Sequence, residues 1–301
     1  MELTSIDGVT RAVAEPGTRV WVDLEDAQPA DFEALGKCLA IHPLVLEDIV
    51  ERNQRAKVEF TDQLMHLVVF ALVYRDTLES VELDILLGTD FLLTSHPPEW
   101  QPMKAGNVAR LGAAHFLAKG PDVALYAVLD AIVDGYFPMV DRLSEVTDEL
   151  EDLVIAQPSK QVIERLFEVR RGLLLVRKVV TPEREVLNQL TNRENELIAP
   201  PTLIYFRDVY DHLVRITDEL DTHREMLSSA LEAYLSTVNN NLSEIMKRLT
   251  AVTAVLAGVG AAAGIFGMSE AFNAGGFWVV VAIVIAVGVA TFAYFRKIDW
   301  I

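Results

Sequence analysis

A stripe of small and polar residues runs along an otherwise apolar segment near the C-terminal end of the chain. Steps of four and three residues from Asn239 reach Ser243, Met246, Thr250, Thr253, Ala257, Gly260, Gly264 and Gly267. These spacings keep all positions on one face of a helix. Hydroxyls, amides and backbone carbonyls can hydrogen-bond the waters of a hydrated cation, and small side chains leave room for it. In a ring of such helices, the stripe predicts a narrow passage lined by polar groups.

The segment that carries the stripe has the length and composition of a membrane span. Residues 250–269 contain no charged side chain, and neither do residues 277–295. At about 1.5 Å per residue, each stretch can cross a hydrocarbon core of roughly 30 Å. The basic pairs Lys247–Arg248 and Arg296–Lys297 flank the same face of the membrane. We therefore predict two transmembrane helices of an inner or plasma membrane, with both termini cytoplasmic.

The stripe has a second interpretation that the sequence leaves open. Gly260 and Gly264 have the spacing of a small-xxx-small seam, along which two membrane helices pack closely. A packing seam needs only the apolar stretch, whereas a pore face should continue below it as polar residues, as Asn239 and Ser243 do. Near the cytoplasmic end, Met246 and Leu249 could form an apolar constriction that closes by dewetting. Two spans per chain cannot enclose a hole, so a pore requires a cyclic oligomer.

The acidic composition makes cations the natural partners, although the same charge can simply keep a cytoplasmic domain soluble. The 301 residues carry a formal net charge of -18, which repels nucleic acid and attracts cations. Cys38 is the only cysteine, in keeping with a reducing compartment. The sequence lacks a phosphate-binding glycine loop, the G-x-S-x-G and H-E-x-x-H motifs and a cysteine pair, so it does not predict an enzyme.

The N-terminal part predicts a mixed α/β domain over residues 1–121, and helices follow it. Short stretches rich in β-branched and aromatic residues predict strands at 19–25, 63–74, 81–87 and 90–95. Helical spacing is found at 29–40, 44–51, 122–156 and 160–180, with a break at Pro182 and in residues 192–201. Residues 122–200 are therefore expected to form a helical hairpin.

A long helix is predicted to connect this domain to the membrane. No proline follows Pro201, and no glycine occurs between Pro201 and Gly258. One stalk helix can therefore continue into transmembrane helix 1 over residues 201–268. A helix pair broken near residues 239–241 is the alternative. Residues 269–276 would form an outer loop, and 277–301 the second transmembrane helix with a basic tail. The predicted fold is an α+β membrane protein.

Several motifs resemble the CorA family of magnesium and cobalt channels, also called the metal ion transporter superfamily. They extend over essentially the whole chain: IHPLVLEDI (41–49), QRAKVEF (54–60), LLGTDFLLTSH (86–96), YFRDVYDHL (205–213), YLSTVNNN (234–241), MKRLTAVTAV (246–255) and GIFGMS (264–269). The resemblance implies a funnel-shaped homopentamer, whose pore is lined by the stalk helix. The family signature Gly-Met-Asn is replaced here by Gly267, Met268 and Ser269, which would lie at the outer mouth.

The same resemblance implies regulation by intracellular Mg²⁺, which would be both transported and regulatory. The matching positions are Glu47, Asp48 and Asp208, whose carboxylates would hold Mg²⁺ between neighbouring subunits. The leading hypothesis is thus a channel for hydrated Mg²⁺, with Co²⁺, Ni²⁺ or Zn²⁺ as other cargo. A proton-coupled zinc transporter of the ZntB branch is one alternative, and a membrane-anchored coiled coil without transport is another.

Overall fold

The computed structural model describes residues 6–61, 63–193, 195–267, 274–298 and 300. The chain divides into two compact units. The first is formed by Met1–Asp152 and Gln161–Ser228, and the second by Leu153–Lys160 and Ser229–Ile301. The first unit contains the sheet, and the second contains the apolar C-terminal helices.

A five-stranded sheet forms the centre of the first unit. Its strands are β1 (Val20–Glu25), β2 (Lys57–Phe60), β3 (Leu64–Tyr74), β4 (Leu78–Gly88) and β5 (Phe91–His96). Their spatial order is β1-β5-β4-β3-β2, with β1 parallel to β5 and the other neighbours antiparallel. The four strands expected from the sequence are confirmed. Strand β2 was not predicted, because its four residues are only partly buried and partly charged.

Helices cover both faces of this sheet, which explains why β3 is almost continuously apolar and why the second half of β4 is buried. Helices α1 (Ile6–Ala14), α2 (Pro29–Cys38) and α3 (Pro43–Glu51) share a buried cluster with one face, centred on Leu86 and Leu93. Helix α6 (Pro121–Asp134) contacts β3, β4 and β5. With both faces buried, a strand gains from apolar residues at successive positions rather than at alternate ones. The first helix, α1, was not predicted.

Local interactions fix both ends of α3. His42 is the N-cap, and its Nδ1 accepts a hydrogen bond from the Leu44 N–H at 3.2 Å. Pro43 follows at the first helical position, where its missing N–H costs nothing. At the other end Arg52 adopts a left-handed conformation with φ of 45°, and its N–H donates to the Asp48 carbonyl at 3.2 Å. These caps hold the Asp48 side chain and Arg52 over the sheet.

The remaining helices of the chain are longer. The structure has a 3₁₀ turn (Pro102–Lys104) and helices α4 (Gly106–Leu111), α5 (Ala113–Leu117), α7 (Phe137–Ala156), α8 (Lys160–Asn192), α9 (Leu203–Gly267) and α10 (Ala274–Lys297). The predicted helix over residues 122–156 is divided at Gly135 and Tyr136. The predicted break at Pro182 is wrong, because α8 continues through it. Buried Val179, Val186 and Leu190 anchor both sides of Pro182, and this packing offsets the ~3 kcal/mol cost of an internal proline.

The predicted stalk helix is confirmed over its described length. Helix α9 runs without interruption for 65 residues, so the alternative break near residues 239–241 is wrong. Asparagine lowers helix propensity only modestly, and an intact hydrogen-bond ladder outweighs that cost. The prediction for Met268 falls outside the described residues, as do the outer-loop residues up to Asn273.

A buried carboxyl group hydrogen-bonds the backbone of β3 where the strand has no partner strand on its β2 side. Beyond the last residue paired with β2, the Phe70 N–H donates to Glu183 Oε1 at 2.6 Å. The Tyr136 hydroxyl contacts both the Phe70 carbonyl and Glu183 Oε2, the latter at 2.5 Å. One hydroxyl proton cannot serve both acceptors, so a second proton on Glu183 completes the network. Burial raises the pKa of Glu183 to about 8, although its hydrogen bonds with Tyr136 and Phe70 lower it in part.

The protonation of Glu183 makes stability depend on pH in a defined direction. The pKa of Glu183 in the folded chain lies above its ordinary value of 4.5. The contribution of protonated Glu183 to the free energy of unfolding is therefore complete below pH 4.5. The contribution is lost as the pH rises toward about 8, by at most roughly 1.4 kcal/mol per pH unit. Glu183→Gln keeps the hydrogen bonds without a titrating group. We expect the thermal unfolding midpoint of Glu183→Gln to gain on that of the unchanged protein as the pH is raised from about 5 to about 8.

The matched control is Glu185→Gln, on an exposed side chain of the same helix. The measurement is thermal unfolding of the full chain in detergent across that pH range. A Glu183→Gln protein that is less stable by the same amount at every pH would contradict a neutral Glu183.

Candidate functional site

The predicted stripe lies on a face of α9 that nothing in the described part of the second unit covers. Asn239, Ser243, Thr250, Thr253 and Ala257 are all exposed. The same is true of Gly260 and Gly264, around which a Cβ would meet nothing within 4 Å. Met246 is 53% exposed and Leu249 is 58% exposed. The nine predicted pore residues are therefore all uncovered within the single chain. From Asn239 to Thr250 every position of α9 is exposed, so the stripe is distinguished from a covered face only beyond Ala251.

A different face of α9 packs against α10. A Cβ atom added to Gly288 of α10 would lie 3.4 Å from Cγ2 of Val259 on α9. The less exposed positions of this part of α9 are Ala251, Ala254, Val255, Gly258, Val259 and Ala262. Their three- and four-residue spacing defines a helix face beside the stripe. The contact between the two apolar helices thus uses the Val259 face and leaves the small-residue face free.

Two helical stretches are long and apolar enough to cross a membrane, and they differ in burial. In the stretch Pro121–Ala156, 61% of the apolar window is buried inside the protein, as expected for a core helix of the first unit. In the stretch Leu203–Ile265, 6% of the window is buried. Helix α10 carries no charged residue before Arg296. Helices α9 and α10 are therefore the elements suited to a lipid environment.

One hydroxyl on the stripe is already oriented by the helix. Thr253 Oγ1 donates to the Leu249 carbonyl at 2.7 Å. Because the hydroxyl proton is donated to this carbonyl, the Thr253 oxygen can only accept hydrogen bonds from groups outside the helix. Waters bound to a cation point their hydrogens away from the ion, so such acceptors suit a hydrated cation. Gly267 ends α9, while Met268 and Ser269 lie outside the described residues.

The predicted regulatory carboxylate Asp48 lies over the sheet in a charged group. Its Oδ2 accepts from Lys57 Nζ at 2.6 Å, and its Oδ1 accepts from Gln54 Nε2 at 3.2 Å. Lys57 also donates to Glu59 Oε1 at 2.9 Å. Burial lowers the pKa of Lys57, but the hydrogen bonds to Asp48 and Glu59 raise it above its ordinary value on balance. Glu47, the neighbouring candidate, is exposed.

The third predicted carboxylate, Asp208, is near an acidic pair on α6 that the sequence analysis missed. Burial raises the pKa of Asp130, and the charges of Asp134 and Asp208 raise it further, against the hydrogen bond from Asn107. Burial also raises the pKa of Tyr126 to about 12, with Asp130 and Asp208 as further causes. Asp208 thus adds negative charge to a site that already holds two carboxyl groups, and a cation there would relieve their repulsion.

The signal for Asp130 and Asp134 was present in the sequence. They stand four residues apart in the stretch DAIVD, so one face of α6 carries both. The apolar periodicity of this stretch indicates only the core face of the helix and predicts nothing about the opposite face. Within one chain, the compact group of possible metal ligands in the described residues contains Asp48, Glu59 and His66, and neither Glu47 nor Asp208. Binding between subunits, as predicted for Glu47, Asp48 and Asp208, stays a prediction.

Comparisons with known proteins identify the family. The family model described as CorA-like Mg²⁺ transporter protein matches residues 17–297. The cobalt/magnesium transport protein CorA of Thermotoga maritima is 32% identical over 300 residues, covering 95% of this chain and 85% of that protein. A CorA protein of Methanocaldococcus jannaschii is 26% identical, covering 94% of this chain and 91% of its own length.

Solved structures show the same fold over nearly the full length. The complete CorA magnesium transporter of M. jannaschii superposes with a TM-score of 0.81 at 25% identity, over 94% of this chain and 92% of that one. Full-length CmaX gives a TM-score of 0.75 at 17% identity, over 95% and 90%. The cytoplasmic domain of ZntB from Vibrio parahaemolyticus shares the fold at a TM-score of 0.59 and 12% identity, over 73% and 88%. Family membership makes the chain a membrane transport protein rather than an enzyme. The chain belongs to the CorA family of divalent cation transporters.

Proposed function

We propose that this protein is a channel for hydrated Mg²⁺, built as a homopentamer in which the stripe on α9 lines the pore. The observation that carries the proposal is the face of α9 that stays uncovered from Thr253 to Gly264 while α10 occupies the Val259 face. A relative that is 32% identical is named a cobalt/magnesium transport protein. Co²⁺, Ni²⁺ and Zn²⁺ are further possible cargo in the same chemical class.

The packing of α9 argues against a seam within the chain. If Gly260 and Gly264 served only to bring two helices close, the small face would be the one that contacts α10. The contact instead involves Val259, and a Cβ on either glycine would meet open space. A seam between copies of the chain is the remaining alternative, and it predicts a membrane-anchored coiled coil that transports nothing.

The residues of the stripe divide the proposed pore into chemically distinct parts. Asn239, Ser243, Thr250 and Thr253 supply oxygens that can hydrogen-bond the waters of an ion. Met246 and Leu249 form an apolar ring between them, where loss of water would stop conduction. Gly267, Met268 and Ser269 would form the outer mouth. There a serine hydroxyl replaces the longer amide of the family signature, which shortens the reach to a hydrated ion.

Regulation by Mg²⁺ is proposed to act through carboxylates between subunits. Glu47, Asp48 and Asp208 are the proposed ligands, and Asp130 and Asp134 add charge beside Asp208. A divalent ion offsets the repulsion among such carboxylates, so a symmetric closed ring is favoured while the ion is bound. Both termini are proposed to be cytoplasmic, because the basic pairs Lys247–Arg248 and Arg296–Lys297 flank the same side of the membrane.

Bulk added to the stripe tests the pore directly. Ala257→Val adds two methyl groups to the proposed pore wall in every subunit. We expect Mg²⁺ flux into liposomes that contain the purified protein to fall by on the order of tenfold, because a ring of larger apolar side chains narrows and dries the passage. Ala286→Val is the matched control, since it makes the same change on an exposed face of α10.

Equal flux through both variants would contradict the pore assignment, and vesicles impermeable to divalent ions with the unchanged protein would favour the coiled coil. Competition between Mg²⁺ and Zn²⁺ in the same vesicles, with and without a proton gradient, distinguishes the proposed channel from a proton-coupled zinc transporter.

Asp208→Ala tests the regulatory proposal. If Mg²⁺ bound by Asp208 holds subunits together, Mg²⁺ should protect the unchanged protein from protease, and the variant should need about tenfold more Mg²⁺ for the same protection. Glu225→Ala is the control, because Glu225 is exposed on the same helix, away from α6. An unchanged Mg²⁺ dependence in Asp208→Ala would remove this residue from the regulatory site.

A further inference from the structure

A buried histidine with one free ring nitrogen lies next to the charged group of Asp48. His66 is a polar residue near the start of the apolar strand β3, and its side chain is 1% exposed. Its Nε2 is 2.9 Å from Oδ1 of Asp84, which is fully buried on β4. Its Nδ1 has no hydrogen-bond partner among the described residues. Burying an imidazole nitrogen without a hydrogen-bond partner costs free energy, and a ligand bound to Nδ1 would remove that cost.

The strand register determines what Nδ1 faces. His66 pairs with Glu59 of β2, so both side chains project from the same face of the sheet. His66 Nδ1 is 4.0 Å from Glu59 Oε2. Asp48 approaches from α3, and one ligand atom from each of these three residues lies within 4.8 Å of the others. Two carboxylates and an imidazole nitrogen thus converge on one point.

The pairing with Asp84 prepares His66 to bind a metal. A proton on Nε2 that is donated to Asp84 leaves the Nδ1 lone pair available. Histidines that bind metals usually donate their other N–H to a carboxylate in this way, which orients the ring and raises its basicity. The other oxygen of Asp84, Oδ2, is likewise without a partner among the described residues. Neither Asp84 nor His66 needs to move for the ion to bind.

We propose that His66, Glu59 and Asp48 form a binding site for a divalent transition-metal ion, with Zn²⁺ and Co²⁺ as the best-matched ions. An imidazole with two carboxylates suits these ions, whereas Mg²⁺ prefers oxygen ligands alone. Metal bonds of about 2.0–2.2 Å place tetrahedral ligand atoms roughly 3.4 Å apart. The carboxylates therefore close in by about 1 Å, which is within the reach of Glu59, whose side chain is 50% exposed.

Lys57 occupies the position where the ion would bind. Its ammonium group lies between Asp48 Oδ2 and Glu59 Oε1, at 2.6 Å and 2.9 Å. It offsets part of the negative charge of the two carboxylates while the metal is absent, and its side chain is 25% exposed. Metal binding is thus an exchange of one cation for another. Removing the ammonium group should make the site bind metal more tightly.

The test is Zn²⁺ binding to the purified full-length protein in detergent without added Mg²⁺, because Asp48 is also a proposed ligand of the regulatory Mg²⁺. Competition with a coloured zinc chelator gives the affinity and the number of ions per chain. We expect one Zn²⁺ per chain at this site, with binding weakened at least about tenfold in His66→Gln and in Glu59→Gln. Lys57→Met should bind more tightly than the unchanged protein. Asp84→Asn should weaken binding by about 10–100-fold through the histidine.

His115→Gln is the matched control, since His115 is exposed on α5, far along the chain. Glu59 is exposed, so Glu59→Gln keeps the test decisive if His66→Gln fails to fold. Bound Co²⁺ should show the visible absorption of a low-coordinate site, and that absorption should disappear in Glu59→Gln. Zn²⁺ affinities that are equal in all these variants would overturn the proposal. The transport assay is separate, so either result leaves the pore assignment as it was.

Discussion

The structure depends on a helix that satisfies its own backbone but leaves one face without a partner in the chain. All internal peptide groups of α9 are hydrogen-bonded within its 65 residues, so only its side chains need other surfaces. In the second unit, large apolar residues such as Leu242, Ile245 and Leu256 are 55–66% exposed. A surface of this kind is covered by lipid or by other copies of the chain. The small-residue stripe lies on the same helix, at positions that have nothing to pack against.

The first unit is shaped by the electrostatics of its carboxylates. The chain has an excess of carboxylates, and its fold places several of them close together or out of water. Glu183 is neutralised by a proton, Asp48 by Lys57, and Asp130 stands with Asp134 and Asp208 beside α9. The first two arrangements relieve the cost of confining negative charge, whereas the third concentrates it.

Much of the fold could be predicted because it follows from local patterns. Three patterns each have one main structural solution: the apolar stretch at β3, the start of α2 at Pro29 and the absence of helix breakers between Pro201 and Gly258. The break expected at Pro182 was wrong because packing of α8 on both sides outweighs the proline. Strand β2 was missed because its pairing with β3 depends on register rather than on its own composition.

The candidate site divides in the same way. The stripe on α9 was predictable, since residues at helical spacing share a face in any helix. The proximity of Asp208 to Asp130, and that of His66 to Glu59 and Asp84, could not be predicted in this manner. These pairs are distant in sequence, and they meet only through the packing of α6 near α9 and the register of three strands. Single polar residues within apolar stretches, such as His66 and Asp84, were the available signal.

The central claim is that the small-residue face of α9 lines water in the assembled protein. It is tested most directly by the reaction of single cysteines with a water-soluble thiol reagent, on full-length protein in liposomes with Cys38 replaced by serine. Ala257→Cys should react, and Mg²⁺ or a hexaammine cobalt ion should slow the reaction, whereas Ala286→Cys on α10 should be unreactive. If Ala257→Cys is as unreactive as Ala286→Cys, the face is buried against protein or lipid, and no aqueous pore follows it.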